Sequence, residues 1–292
     1  MKQRIELRRV RDFGQIINDS FTFLKENFKP LFTALLIICG FFIVIGSISA
    51  IFTYMNMISP LTFNVNRYNA GTQPLGFVVS ALVNVFIVIL TQAFIHLVTL
   101  CYISVYIQKN NQTPTLAEVW GYFRYYFFRV LGAGIIIFFL MAIGLVLCLI
   151  PGIYLMPIMY LVIPVIVVEN TSFGYAFNKS FRLIKSNWWL VFGVIFIMSL
   201  IVSVASSVVG IPITLITVGG TFLSLKGFTL PLLILFSILR NILLLAYALP
   251  AIAVCLCYLT LAEQKDGTGL LDRISQLGTN SDDRSTQTAE EY

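Results

Sequence analysis

The pattern of hydrophobic and polar positions alternates along this chain between amphipathic stretches and long apolar runs. The clearest example is residues 173–197, where one helical face follows the i, i+3, i+4, i+7 spacing and is formed by Phe173, Ala176, Phe177, Ser180, Phe181, Ile184 and Trp188. The opposite face carries Asn178, Lys179, Arg182, Lys185 and Ser186. From Trp188 the chain stays apolar for longer than the roughly 20 residues that cross a bilayer. The pattern predicts a basic helix on a membrane surface that leads directly into a membrane-spanning helix.

Similar alternations elsewhere predict three interfacial helices and six spans in all. The interfacial helices are expected at 13–28, 115–130 and 172–187, with N-caps at Asp12, Thr115 and Ser172. Pro30 is expected to end or kink the first of them. The spans are expected at about 31–55 and 76–108, then up to 150, up to 168, from 188, and up to 263.

Two connections between spans carry helix-breaking residues. Pro151 and Gly152 predict a tight turn between the third and fourth spans. Residues 210–230 are apolar but are interrupted by three separate glycine sites and a proline. We expect them to form a re-entrant or interfacial excursion rather than another crossing.

The amino-acid composition indicates that most of this chain lies in a lipid bilayer. Of its 292 residues 58% are hydrophobic and 11% are charged, whereas soluble domains carry about 25% charged residues. The predicted fold class is therefore all-α, a polytopic bundle of membrane helices. All five cysteines fall in apolar runs, and with one histidine no metal site is expected. No cofactor and no nucleic-acid partner are predicted.

Charge placement predicts the orientation of the chain. Sixteen lysines and arginines lie in the N-terminal segment, in the 109–129 and 169–186 connections and after residue 263, against Arg67 and Lys226 on the other side. By the positive-inside rule, both termini are predicted to be cytoplasmic. The implied location is a bacterial cytoplasmic (inner) membrane. The implied partners are anionic inner-leaflet lipid headgroups, and no protein partner is indicated.

The chain also contains an internal repeat. Residues 13–37 match 173–197 without a gap at nine positions, and the segment LCYISVYIQKN at 100–110 recurs as LCYLTLAEQKD at 256–266. These matches predict units at about 10–110, 114–168 and 172–263 within a single membrane domain, 1–263. An even number of spans in each unit makes the repeat parallel. The polar segment 264–292 is predicted to be a mostly disordered cytoplasmic tail.

One stretch resembles a known family. The sequence IPGIYLMPIMYLVIPVIVVEN followed by AFNKSFRLIKSNWWLVFG is similar to the membrane region of the glycerophosphoryl diester phosphodiesterase membrane-domain family, and the likeness covers most of residues 10–265. The resemblance implies a helical membrane module. In fused relatives the chemistry belongs to a separate soluble barrel domain. Since the chain ends at Tyr292 without one, we expect no diesterase activity.

Three functional classes compete. The first is a non-catalytic membrane module that anchors, senses or organises lipids or proteins, favoured by the three basic interfacial helices. The second is a transporter or channel for a small or lipidic substrate, favoured by the repeats and the broken apolar segments. The third is an intramembrane enzyme, which the chain disfavours because it lacks paired intramembrane carboxylates, a His-rich motif or a Ser/His/Asp set. We expect no catalytic residues.

Two groups of candidate site residues follow. Gln92, His96 and Thr99 share one face of the second span, and because a polar group facing lipid is costly they are predicted to point into the bundle. They would form either interhelical hydrogen bonds or a small polar cavity. The predicted lipid-headgroup contacts are Lys179, Arg182, Lys185 and Arg240.

Overall fold

The computed structural model describes residues 6–62, 73–147, 149–222 and 226–267. Helices and turns make up this part of the chain, and no strand occurs in it. The helices are α1 (Phe13–Glu26), α2 (Phe28–Thr62), α3 (Gln73–Gln108), α4 (Leu116–Leu147), α5 (Leu149–Glu169), α6 (Phe173–Ile184), α7 (Trp188–Phe222), α8 (Lys226–Leu243) and α9 (Ala248–Asp266), with a 3-10 turn at Leu244–Tyr247 between the last two.

Six helical segments are long and apolar enough to cross a membrane. They are Phe28–Asn56, Leu75–Gln108, Leu116–Gly144, Pro151–Glu169, Trp188–Ile216 and Pro231–Asp266. The predicted all-α membrane bundle with six spans is confirmed, and the protein is a polytopic membrane protein by the length and composition of its helices. The last segment contains the 3-10 turn, where the helix tightens before α9.

Two of the three predicted interfacial helices are separate elements. Helix α1 begins with the predicted capping box, in which the Gln15 backbone N–H donates to Asp12 Oδ1 at 2.7 Å. It ends at Glu26, so that Pro30 lies in the first turn of α2, where its missing N–H costs nothing. Helix α6 follows the N-cap Ser172 and is joined to α7 by a short turn.

The prediction of a separate second interfacial helix was wrong. Residues 116–130 are the first half of the continuous helix α4. Its amphipathic pattern and the apolar run that follows are both compatible with helix, no proline separates them, and Gly132 and Gly134 at the junction are accommodated within the helix. The pattern identified the change of environment, but this change does not require a break in the backbone.

Two predicted breaks are also helical. Pro151 and Gly152 lie in the first turns of α5, where proline is tolerated. Residues 210–222 continue α7 with Pro212 inside the helix, so this part of the predicted excursion is not re-entrant. Side chains over 217–230 and the backbone of 223–225 lie outside the described residues, as do residues 268–292 of the predicted tail. Residues 264–266 of the predicted tail are helical, because α9 extends to Asp266 and is capped by Gly267 in the left-handed conformation.

Helix α9 is the centre of the bundle. Every residue from Ala248 to Leu261 is buried, and the helix packs against α1, α3, α5, α6 and α7. Small residues such as Ala251, Ala253 and Cys255 allow these neighbours to approach closely. By contrast, Phe128 and Val146 on α4 are 79% and 86% exposed, which is the lipid-facing behaviour of an outer helix. The axis of this part of the bundle is therefore filled by a helix.

Contacts at glycines bring the helices together at two further points. A Cβ added at Gly46 in α2 would lie 2.7 Å from Asn241 Oδ1 in α8, and one added at Gly193 in α7 would lie 3.1 Å from Phe13 Cε2 in α1. A larger side chain at either position would press on the neighbouring side chain, which would have to shift to make room. The first contact joins the two hairpins α2–α3 and α7–α8, and the second seats α1 on α7.

Candidate functional site at the charged end

Most ionisable residues of the described chain gather at one end of the bundle, here called the charged end. It is formed by residues 6–29, 109–129, 169–187 and 262–267. Side-chain bonds between distant parts of the chain hold these segments together, including Lys179–Asp266, Arg129–Asn170 and Asn187–Gln264. The interfacial helices thus belong to one continuous surface.

Lys179 on α6 is the centre of a buried charge cluster. Its Nζ donates to Glu169 Oε1 at 2.5 Å and to Asp266 Oδ2 at 2.9 Å, and its side chain is 7% exposed. The Tyr258 hydroxyl on α9 donates to the same Glu169 oxygen at 2.6 Å. This cluster links the end of α5, the middle of α6 and the end of α9.

The prediction that Lys179 contacts lipid headgroups was wrong. Its position on the polar face of the amphipathic repeat predicted contact with lipid phosphates, but the side chain is buried and paired with two carboxylates. Burial by itself would lower the pKa of Lys179, yet the hydrogen bonds to Glu169 and Asp266 outweigh burial, and the pKa is raised above its ordinary value. Lys179 therefore remains a cation and fixes α6 to the bundle.

A second cluster occurs at the start of the chain. The buried Arg11 guanidinium donates from Nε to Asp19 Oδ2 at 2.8 Å and from Nη1 to the Leu7 carbonyl at 2.7 Å, and it also bonds to the Glu6 carbonyl. Arg9 donates to the same Asp19 oxygen at 2.7 Å. Although burial lowers the pKa of Arg11, its bond to Asp19 opposes that shift. The segment before α1 is thus folded around one side chain.

The two clusters occupy equivalent positions with opposite charges. Arg9 and Asp19 pair across 10 residues, and Glu169 and Lys179, each 160 residues later, pair across the same interval. In both cases an interfacial helix is tied to the segment that precedes it. The exchange of sign keeps the pair attractive while changing both partners.

The other predicted headgroup residues are accessible. Arg182 in the last turn of α6 and Lys185, the C-cap residue that follows it, are exposed, and Arg182 lies 4.0 Å from Asp266 with its side chain 63% exposed. Arg240 on α8 is exposed and donates to the Tyr54 hydroxyl of α2 at 2.7 Å. These three side chains are placed where headgroup contact is possible, and such contact stays a prediction.

The predicted polar stripe on α3 is only partly enclosed. Thr99 is fully buried, and its hydroxyl donates to the Ile95 carbonyl at 2.7 Å within the same helix. Gln92 and His96 are half-buried. Neither has a hydrogen bond to another described residue. Of the three residues, Thr99 alone is fully inside the bundle. A polar cavity lined by these residues stays a prediction.

Sequence analysis missed a different group of buried polar residues. Ser237 and Asn241 of α8 are buried one turn apart, and the Asn241 amide donates to the Ser237 carbonyl at 2.9 Å. The Ser237 hydroxyl has no partner among the described residues. Their i, i+4 spacing on one face of a membrane helix was the signal that could have identified them.

The charged end holds no cluster suited to a metal in the described part of the chain, where no three histidine, cysteine or carboxylate side chains come together. No family model, no curated protein and no solved structure matches this chain. The likeness to the glycerophosphoryl diester phosphodiesterase membrane-domain family stays a prediction.

Proposed function

We propose that this protein is a non-catalytic membrane module that anchors or organises components at an anionic membrane surface, with the charged end as its working face. The observation that carries the proposal is the arrangement of α6. Its apolar residues Ala176, Leu183 and Ile184 are fully buried, Lys179 is held by carboxylates, and Arg182 and Lys185 project outward. Because its apolar face and Lys179 are bound to the bundle, α6 can present its remaining cations to anionic headgroups.

A central channel is a less favoured function. Because α9 occupies the axis next to the charged end, a pore would have to run between outer helices. The accessible cations Lys25 of α1 and Lys29 of α2 instead add to the basic surface of the charged end. They support a surface role rather than a conduit.

The proposed orientation places the charged end on the cytoplasmic face of a bacterial inner membrane. It rests on the excess of lysine and arginine at this end. In a cysteine-free background, Ser186→Cys should react with a membrane-impermeant maleimide only after the cells are opened. Reaction in intact cells would reverse the proposed orientation.

We further propose that the units 10–110 and 172–263 arose by duplication. The charge-exchanged pairs Arg9–Asp19 and Glu169–Lys179 support it, since both tie an interfacial helix to its preceding segment across the same interval. Electron cryo-microscopy of the protein should show α1–α2 superposing on α6–α7. Diverging helix directions would contradict the duplication.

Removing the exposed cations Arg182 and Lys185 at the end of α6 tests the proposed contact with lipid. In nanodiscs of mixed phosphatidylglycerol and phosphatidylcholine, the variant Arg182→Gln/Lys185→Gln should retain less phosphatidylglycerol. The expected loss is about fivefold per charge, since each cation near an anionic surface is worth about 1 kcal/mol. Native mass spectrometry measures the retained lipids.

The control variant is Arg273→Gln/Arg284→Gln, which removes the same charge from the C-terminal segment and should change lipid retention little. Equal losses in the two variants would mean that α6 has no special surface role. No preference of the unmodified protein for phosphatidylglycerol would overturn the proposed function itself.

A further inference from the structure

An open groove of about 570 Å³ lies at the charged end between α3 and α4, a size typical of small-ligand sites. Its polar lining comes from three parts of the chain. Gln108 and Lys109 end α3, Glu118 and Tyr122 lie in the first turns of α4, and Asn170 follows α5. The groove is therefore a product of the tertiary fold and not of one helix.

Within the groove, Lys109, which follows α3, and Glu118 at the start of α4 form an ion pair, so their charges cancel. Lys109 Nζ lies 2.8 and 3.0 Å from the two Glu118 carboxylate oxygens. The Tyr122 hydroxyl donates to Gln108 Oε1. This part of the groove offers neutral hydrogen-bonding groups and aromatic surface, which suit a hydroxylated ligand better than a strongly charged one.

Arg129 lies at the edge of the groove, where it contacts the lining residues Asn170, Tyr125 and Tyr126. Arg129 Nη1 donates to Asn170 Oδ1 at 2.7 Å, and the guanidinium lies 5.5 Å from the Tyr125 ring centre and 5.9 Å from that of Tyr126. No carboxylate pairs with Arg129 among the described residues. Asn170 adopts φ 53°, a left-handed conformation that asparagine tolerates well. Arg129 is thus oriented by its neighbours while its charge stays available to an anion.

The depth of Arg129 fits the headgroup layer. Leu147, at the far end of α4, lies 18 residues beyond it, or about 27 Å along the helix, which is close to the thickness of the hydrocarbon core. Tyr125, Arg129, Ile136 and Ile143 share one face of α4 by their spacing, and all four are exposed. The exposed apolar residues of this face therefore lead from Arg129 into the membrane.

From this geometry we infer that the groove binds one anionic phospholipid with a hydroxylated headgroup, of the phosphatidylglycerol class. The phosphate pairs with Arg129, and the headgroup hydroxyls bond to Tyr122, Gln108 and Asn170. The acyl chains follow the exposed face of α4. The inference deepens the proposed function, because it replaces general surface attraction by a discrete site for one lipid.

Two substitutions separate the phosphate contact from the hydroxyl contact. In nanodiscs containing phosphatidylglycerol, phosphatidic acid and phosphatidylcholine, Arg129→Gln should lower retention of both anionic lipids about tenfold by native mass spectrometry, because a charge-assisted pair is lost. Tyr122→Phe should reduce only the preference for phosphatidylglycerol over phosphatidic acid. Thermal unfolding in the same detergent verifies that each variant is folded.

The matched control is Arg124→Gln, which removes an exposed cation of the same helix outside the groove and should leave retention nearly unchanged. An equal loss in Arg124→Gln and Arg129→Gln would overturn the discrete site and leave the proposed function standing. Wild-type protein without any preference for anionic lipid would overturn both. Displacement of the lipid by millimolar glycerol 3-phosphate would instead assign the groove to a soluble phosphate ester and overturn the lipid assignment.

Discussion

Replacing Lys179 by glutamate should cost the folded protein about 2–4 kcal/mol in the free energy of unfolding. The substitution places a third carboxylate beside Glu169 and Asp266, which are 23% and 30% exposed in their side chains. Breaking a fully buried pair costs about 3–5 kcal/mol, and the partial hydration of these two acids reduces that cost. Titration with dodecyl sulfate in mixed micelles, followed by circular dichroism, measures it.

The matched control is Lys185→Glu, which reverses an exposed charge of the neighbouring turn and should change stability by less than about 1 kcal/mol. Lys179→Arg should retain most of the stability because it keeps the charge. Since the pKa of Lys179 is raised on folding, the contribution is complete below the unfolded pKa of about 10.4 and is lost only as pH rises through the higher folded value. A Lys179→Glu protein as stable as the wild type would show that the cluster does not hold α6.

Replacing Arg11 by leucine should release the segment before α1. The change removes four hydrogen bonds, one to the Asp19 carboxylate and three to the carbonyls of Glu6, Leu7 and Arg9, and leaves buried oxygens without a donor. Each hydrogen bond from a charged group contributes about 1.5–3 kcal/mol, so we expect a loss of at least about 3 kcal/mol in the free energy of unfolding. Amide hydrogen exchange should show faster exchange over 6–12 and the first turn of α1.

The control for Arg11 is Arg9→Leu, because both guanidiniums bond to the same oxygen of Asp19. Arg9 is 44% exposed in its side chain, whereas Arg11 is fully enclosed. Replacing Arg9 should lower the free energy of unfolding by about 1 kcal/mol or less, as expected for a pair open to solvent. Equal effects of the two substitutions would contradict the role of Arg11 as the centre of this segment.

Local chemistry made several elements predictable. The capping box at Asp12 and Gln15 needs only residues three apart, and α6 begins after the predicted N-cap Ser172, although the Ser172 side chain makes no capping hydrogen bond. The wrong prediction of a break near residue 130 has a local cause too. Amphipathic and fully apolar stretches are both good helices, so the hydrophobic pattern reports where the solvent changes and not whether the backbone bends.

By itself, the sequence determined that this is a membrane protein with six long apolar helices and a basic end, because a hydrocarbon solvent demands about 20 apolar residues per crossing and excludes unpaired charge. Only the tertiary structure decided that Lys179 is buried while Arg182 and Lys185 are exposed. Helical periodicity places all three on one polar face, but the partner Asp266 lies 87 residues away along the chain. The packing of α9 against this face therefore decided which cation became buried and which cations stayed exposed.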